Sequence, residues 1–171
     1  SYLKRHGFIN YDILLSSRYA PDLTLIAPAY NEGLTIEENV KSLLSLNYNN
    51  YKVIIVNDGS KDNSMDLLIK SYNLVRSEAI IPTKAVKGIY KSQNNAFRKL
   101  IIVDKENGGK ADALNVGINI AQSAYVVCID VDCILDKDAL LKLAKPFLEQ
   151  GRKRVIATGG VVRIANQCVI K

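Results

Sequence analysis

Apolar residues recur along this chain in two alternating rhythms, short unbroken runs rich in β-branched types and longer stretches with helical spacing. Pro21 introduces the first run, and Leu23-Thr24-Leu25-Ile26-Ala27 predicts a strand that Pro28-Ala29-Tyr30-Asn31-Glu32-Gly33 breaks with a loop. Thr35 and Glu38 then have the spacing of a capping box, and Ile36, Val40, Leu43 and Leu44 share one helical face. The same grammar repeats. Tyr51 to Val56 predicts a strand, Asn57-Asp58-Gly59-Ser60 a turn, and Met65, Leu68, Ile69 and Tyr72 a second helix.

Residues 77–97 show no convincing period and include Pro82, Gly88 and the polar run Ser92-Gln93-Asn94-Asn95, which predicts a long loop. Strand character returns at Lys99 to Val103. Asn107-Gly108-Gly109-Lys110 then turns the chain into a helix through about Ala121. Tyr125 to Asp132 reads as a buried parallel strand whose end emerges at a polar site. Asp136 is placed to cap a last helix, with Leu140, Leu141, Ala144 and Phe147 inward and Pro146 near its end. Arg154 to Ile164 predicts a further strand, interrupted at Gly159-Gly160. Alternating strands and helices imply an α/β fold with a mainly parallel sheet flanked by helices. Residues 1–20 show no clean period and read as a lead-in that packs as a short helix, followed by the domain proper over residues 21–171.

In such sheets ligands gather beyond the strand C-termini, and four polar clusters fall there. Asp130 and Asp132, two apart at the end of that strand, share one face while Val131 points away, and paired carboxylates make a hard site suited to Mg²⁺ or Mn²⁺, the alternative being that one of them only caps the following helix. Asp58 ends the second strand, where an acid can accept from a nucleoside; an Asp-Gly turn without a ligand explains it equally well. Gly108-Gly109-Lys110 ahead of a helix looks like a phosphate loop with bared amides and a point charge, or a plain helix-start turn. It is not a Walker A motif, because Asp104 and Ala111 stand where glycine and Ser or Thr are needed. The first turn also lacks GxGxxG, which weakens a dinucleotide-binding reading. Tyr30 can stack on a base and Glu32 can reach a sugar hydroxyl.

Charge and cysteine content narrow the classes. The net charge of +6 is concentrated where Lys84, Lys87, Lys91, Arg98 and Lys99 lie in an acid-free stretch from Ala79 to Val103, suited to anionic lipid, a phosphorylated ligand or plain solvation. No basic motif interleaved with aromatics points to nucleic acid. Cys128, Cys133 and Cys168 with the single His6 support neither a disulfide framework nor a zinc site, and Cys128 reads as a core residue in a reducing compartment. No apolar run approaches the roughly 18 to 20 residues of a membrane span, so the chain as given is expected to be soluble. Starting on Ser1, it reads as an excised piece of something longer.

The segments Ala27-Pro28-Ala29-Tyr30-Asn31-Glu32, Val56-Asn57-Asp58-Gly59-Ser60, Gly108-Gly109-Lys110-Ala111 and Asp130-Val131-Asp132 resemble, in order and spacing, family-2 glycosyltransferases of the GT-A fold, over about residues 22–165. Gly159-Gly160-Val161-Val162-Arg163-Ile164-Ala165-Asn166 resembles the membrane-bound subgroup of poly-N-acetylglucosamine, hyaluronan, chitin and cellulose synthases. The resemblance implies a Rossmann-like GT-A domain lacking its C-terminal part. It implies a UDP-sugar donor bound by Pro28, Tyr30, Glu32, Asp58, Lys110 and Asp130, with Tyr30, Glu32 and Asp58 near the uridine and Lys110 near the diphosphate. Asp132 would hold the Mg²⁺ or Mn²⁺ directly, with Asp130 near the ribose or a metal-bound water. Further implications are inversion at the anomeric carbon, a glycan acceptor, and a site at the cytoplasmic face of a membrane spanned by helices outside this chain. The family takes its base from a Glu-Asp or Thr-Glu-Asp motif and then has Gln-x-x-Arg-Trp; with no tryptophan present, both are expected downstream of Lys171. The rivals are a nucleotide-binding module without transfer activity and a nucleotidyltransferase.

Overall fold

The computed structural model describes residues 20–78, 85–149 and 154–161. Its frame is a six-stranded sheet in the order β3-β4-β5-β2-β1-β6. The strands are β1 (Leu23–Ala29), β2 (Tyr51–Asp58), β3 (Leu74–Arg76), β4 (Val86–Ser92), β5 (Leu100–Lys105) and β6 (Tyr125–Cys128). The helices are α1 (Ile36–Leu44), α2 (Ser64–Tyr72), α3 (Lys110–Ile120) and α4 (Ala139–Leu148). β1 runs parallel to β2 and β6, and β2 parallel to β5, whereas β3 and β4 pair antiparallel.

Strand alternation splits the core in two. Leu25, Ala27, Val53, Ile55, Leu100 and Ile102 face a cluster built with Ile36, Val40 and Leu43 of α1, Leu68 and Tyr72 of α2, and Leu140, Leu141 and Ala144 of α4. The intervening Ile26, Ile54, Val56 and Val103 face Ala113 and Val116 of α3. Gly117 lets α3 lie close on the sheet: a Cβ there would overlap Ile26 Cγ2 and come within 3.3 Å of Val56 Cγ2. α2 stops where Asn73 turns left-handed at φ 47°, its N–H closing on the Ile69 carbonyl. Chain direction then reverses into β3.

Several expectations need correction. The stretch read as a loop over 77–97 supplies β4, with Val86 and Ile89 buried; a register shift between Val86 and Gly88 breaks the alternation that would have revealed it. Thr35 caps nothing with its side chain. Its hydroxyl donates weakly to Glu32 Oε2 at 3.4 Å and accepts from Asn39 Nδ2 at 3.1 Å, while the Glu32 carbonyl takes the Thr35 and Ile36 amides. β6 is parallel as expected, but among the described residues it is an edge strand that ends at Cys128. Cys128, the last residue of that edge strand, is exposed rather than a core residue. Asp136 sits ahead of α4 in a turn, accepting from the Asp138 amide at 2.9 Å and pairing with Lys142 at 2.7 Å, and the cap position falls on Asp138. Phe147 is only partly buried, its ring 4.5 Å from that of Tyr125. Residues 154–161 form no strand. The rest of that expected strand, the lead-in up to residue 19, Lys84 and residues 162–166 of the synthase-like segment lie outside the described residues. No helix among the described residues is long and apolar enough to cross a membrane.

Candidate active site

The register of the sheet brings two charges together in its interior. Asp58 continues the parity of Ile54 and Val56 on β2, Lys105 continues that of Val103 on β5, and the two are direct partners across the strands on the side of α3. Lys105 has no exposed side-chain surface, and Asp58 has 4%. The ammonium donates to Asp58 Oδ1, to Asp112 Oδ2 in the first turn of α3, and to the Glu106 carbonyl, each at 2.6 Å. Asp58 in turn accepts from Gly108 N at 3.0 Å through Oδ1 and from Gly109 N at 2.8 Å through Oδ2.

Burial alone would raise the Asp58 carboxyl, but the hydrogen bonds from Lys105, Gly108 and Gly109 outweigh it and hold it below the usual carboxylate range. Burial likewise works against the Lys105 ammonium, and Asp112 and Asp58 overcome it, leaving the lysine raised. The loops are locked further where Asn107 Nδ2 donates to the Asp58 carbonyl at 2.8 Å. Gly59 makes this approach possible: it holds φ 68°, and a Cβ there would lie 2.6 Å from Asn107 N. The glycine amides expected to be bare for a phosphate are therefore taken by Asp58. An internal carboxylate fills the anion-binding turn, and Lys110 is left as the cation that the turn presents outward.

Lys110 reaches a cleft of about 260 Å³ lined by Pro28, Ala29, Tyr30, Glu32, Asp58, Lys110, Asp130, Val131 and Asp132. Pro28, Tyr30, Glu32, Asp58, Lys110, Asp130 and Asp132, the donor and metal residues that the resemblance implied, all line it, whereas Gly108 and Gly109 do not. Tyr30, 47% exposed, follows β1. Glu32 is half-buried, its amide bound to Ser64 Oγ at 3.0 Å. Asp130 and Asp132 lie past the end of β6, in a turn closed from Cys133 N to the Asp130 carbonyl at 3.1 Å. That turn, rather than strand alternation, exposes both acids and buries Val131 against the core. Lys110 forms an ion pair with Asp130, which raises the lysine.

The donor set fits a divalent cation. One ligand atom each from Asp130, Asp132 and Cys133 lie within 4.8 Å of one another, and the two carboxylates suit a hard ion. Three participants escaped the sequence reading. Cys133 was counted only toward disulfides and zinc, although it directly follows Asp132. Lys105 carried a usable signal, since an apolar strand ending on lysine beside a strand ending on aspartate pairs it with Asp58 in a parallel register near alignment; Asp112, in the first turn of α3, carried none. A more open hollow of about 500 Å³, lined by Asn31, Gly33, Leu34, Lys61, Asp62 and Asn63, lies nearby without a paired-carboxylate metal set.

A mostly parallel sheet with this cleft beyond its strand ends is the GT-A architecture of nucleotide-sugar transferases. It superposes on Staphylococcus aureus TarS (residues 1–349) with a TM-score of 0.55 at 22% identity, over 75% of this chain and 32% of that one. A mannosyltransferase from Pyrobaculum calidifontis, solved with GDP-Man and Mn²⁺, superposes at 0.52 with 24% identity, over 74% of this chain and 34% of that one.

Residues 24–166 match the model of glycosyl transferase family 2, and the chain belongs to that family. The poly-beta-1,6-N-acetyl-D-glucosamine synthase of S. aureus strain COL is 36% identical over 149 residues, 86% of this chain and 30% of the relative. The synthase of the same name from Staphylococcus epidermidis is 30% identical over 171 residues, 99% of this chain and 35% of the relative. The chain thus spans about a third of the length of the curated relatives it matches.

Proposed function

We propose that this chain is the donor-binding portion of an inverting glycosyltransferase that takes a sugar from a UDP-sugar and adds it to a growing polysaccharide at the cytoplasmic face of a membrane. One observation carries the reading: the ends of four strands and the segments that follow them deliver Tyr30, Glu32, Asp58, Lys110, Asp130 and Asp132 to a single cleft. In this reading Pro28 and Tyr30 form the wall against the uracil, Glu32 reaches the nucleoside and Asp130 lies near the ribose, while Asp58, its carboxylate oxygens taken by Lys105, Gly108 and Gly109, supports the site from beneath. Lys110 exchanges its pairing with Asp130 for the diphosphate oxygens. Asp132, with Asp130, would hold Mg²⁺ or Mn²⁺, which would supply charge neutralisation at the leaving diphosphate.

The acceptor hydroxyl attacks the anomeric carbon from the face opposite the diphosphate and must give up a proton. Asp58 is committed to Lys105 and two amides, and Asp130 and Asp132 are set for the cation. The base is accordingly proposed to lie in a part of the longer protein that this chain does not include. The likeness to polysaccharide synthases supports a glycan acceptor, and TarS has been solved with UDP.

Calorimetric titration with UDP, a UDP-sugar, GDP and UTP, in Mn²⁺ and in chelator, tests this. The expected outcome is preference for UDP and its sugar, weakened about tenfold or more in chelator, which corresponds to roughly 1.4 kcal/mol. Equal affinity in chelator refutes the metal role, preference for UTP favours nucleotidyl transfer, and absence of nucleotide binding refutes the donor site.

A further inference from the structure

We infer that Lys105, which does not line the cleft, is a positioning residue for the donor: it holds Asp58 against the Gly108-Gly109 turn and so fixes where Lys110 meets the diphosphate. The inference deepens the proposed function and rests on it for the identity of the ligand.

A lysine with no exposed side-chain surface is costly to the fold unless every donor is matched. Here the match is complete, three N–H groups on three oxygens at 2.6 Å. Those oxygens belong to the end of β2, the first turn of α3, and the residue after β5. One ammonium thereby ties together three segments beside the cleft. The sheet beneath does not need it, because Val56 and Val103 already pack against α3 in the same layer.

The chain of contacts leads to the cleft in two steps. Lys105 keeps Asp58 ionised within the protein, and an ionised carboxylate can accept from both glycine amides at once. Lys110 follows Gly109 directly, so the direction in which its side chain leaves the backbone is set by that turn. Glycine at 108 serves the same end: a Cβ there would overlap Asp112 Oδ2 and stand 3.0 Å from Lys105 Nζ. With Lys105 removed, Asp58 is left buried without its counter-charge. Protonation then leaves it a weaker acceptor, and the turn loosens while the strands remain paired.

The test compares wild type with Lys105→Met by amide exchange and by titration with uridine and UDP in Mn²⁺. Expected are faster exchange at Gly108 and Gly109 with β2 and β5 still protected, about tenfold weaker UDP binding, and roughly twofold or less change for uridine. A purely structural role would weaken both ligands in proportion. Adding Lys110→Met to Lys105→Met should cost little further affinity, since both act on one contact. Additive losses, or unchanged protection of the two glycines, overturn the inference. Should Lys105→Met fail to fold, Lys105→Met/Asp58→Asn removes both buried charges and leaves one side-chain oxygen for two amides. Weak UDP binding by that folded double variant is expected, and wild-type affinity overturns the inference. If wild type itself binds no UDP, the donor site is refuted, whereas faster glycine exchange in Lys105→Met still upholds the clamp.

Discussion

Gly117→Ala sets two effects of opposite sign against each other in α3. Replacing glycine by alanine inside a helix favours folding by about 1 kcal/mol. Against this, the new methyl would overlap Ile26 Cγ2 and crowd Val56 Cγ2 at 3.3 Å. Ile26 is fully buried and β-branched, hence stiff about its first torsion. It also sits on β1, which is paired on both sides and cannot recede without disturbing β2 and β6. Overpacking of this kind costs about 1–3 kcal/mol, and so little freedom to relax places Gly117→Ala toward the upper end. The expected balance is a loss of about 1–2 kcal/mol, or roughly 2–8 °C in Tm for a domain of this size. Because α3 begins at Lys110, lifting the helix should also weaken UDP binding. Urea midpoints and calorimetric Tm values check the stability, and titration checks the binding. A variant as stable as wild type or more so would show that Ile26 yields and that the reasoning from close approach is wrong.

Asp132→Asn should abolish the dependence of UDP affinity on Mn²⁺, an amide being a poorer ligand for a hard cation; an unchanged Mn²⁺ response in titration would place the ion elsewhere. Asp58 is depressed in the folded chain, so its stabilisation is present above the unfolded carboxylate value and lost as pH falls through the folded one. Urea midpoints should therefore drop from about pH 4 downward in wild type and less steeply in Asp58→Asn, and equal slopes would contradict this. Gly59→Ala forces a side chain to φ 68° and onto Asn107 N, costing about 1–2 kcal/mol from the backbone alone; an unchanged denaturation midpoint would refute that. Leu140→Ala, at a position with no exposed surface, should lose about 2–5 kcal/mol by the same assay, and a loss under about 1 would mean that the core under α4 collapses to fill the space.

The parts of the fold that hydrophobic rhythm made legible are those where one face is buried at a constant period. β1, β2, β5, α1, α2 and α3 fall close to where Leu23, Tyr51, Lys99, Ile36, Met65 and Lys110 suggested. β4 was hidden because a register shift near Gly88 interrupts its alternation, and β3 because only Leu74 of its three residues is buried. At the site, the expected residues converge on one cleft, but through means that a linear reading does not supply. A turn after Cys128 exposes Asp130 and Asp132 together. The Gly108-Gly109 amides are spent on Asp58, which no local motif announces, since the partner is some fifty residues away in sequence.

The loop after β1 hangs from the loop after β2. Asn31 N donates to Ser60 Oγ at 2.9 Å, Glu32 N to Ser64 Oγ at 3.0 Å and Gly33 N to Asp62 Oδ2 at 2.8 Å, while Lys61 N returns a bond to Asn31 Oδ1 at 2.8 Å. Asn31 keeps φ 56° within this arrangement. For anyone grafting the proposed donor site between relatives, the smallest portable cassette is consequently not the Tyr30 loop but residues 28–33 and 57–64 carried together. Transplanted singly, either half arrives with backbone amides whose acceptors stayed behind.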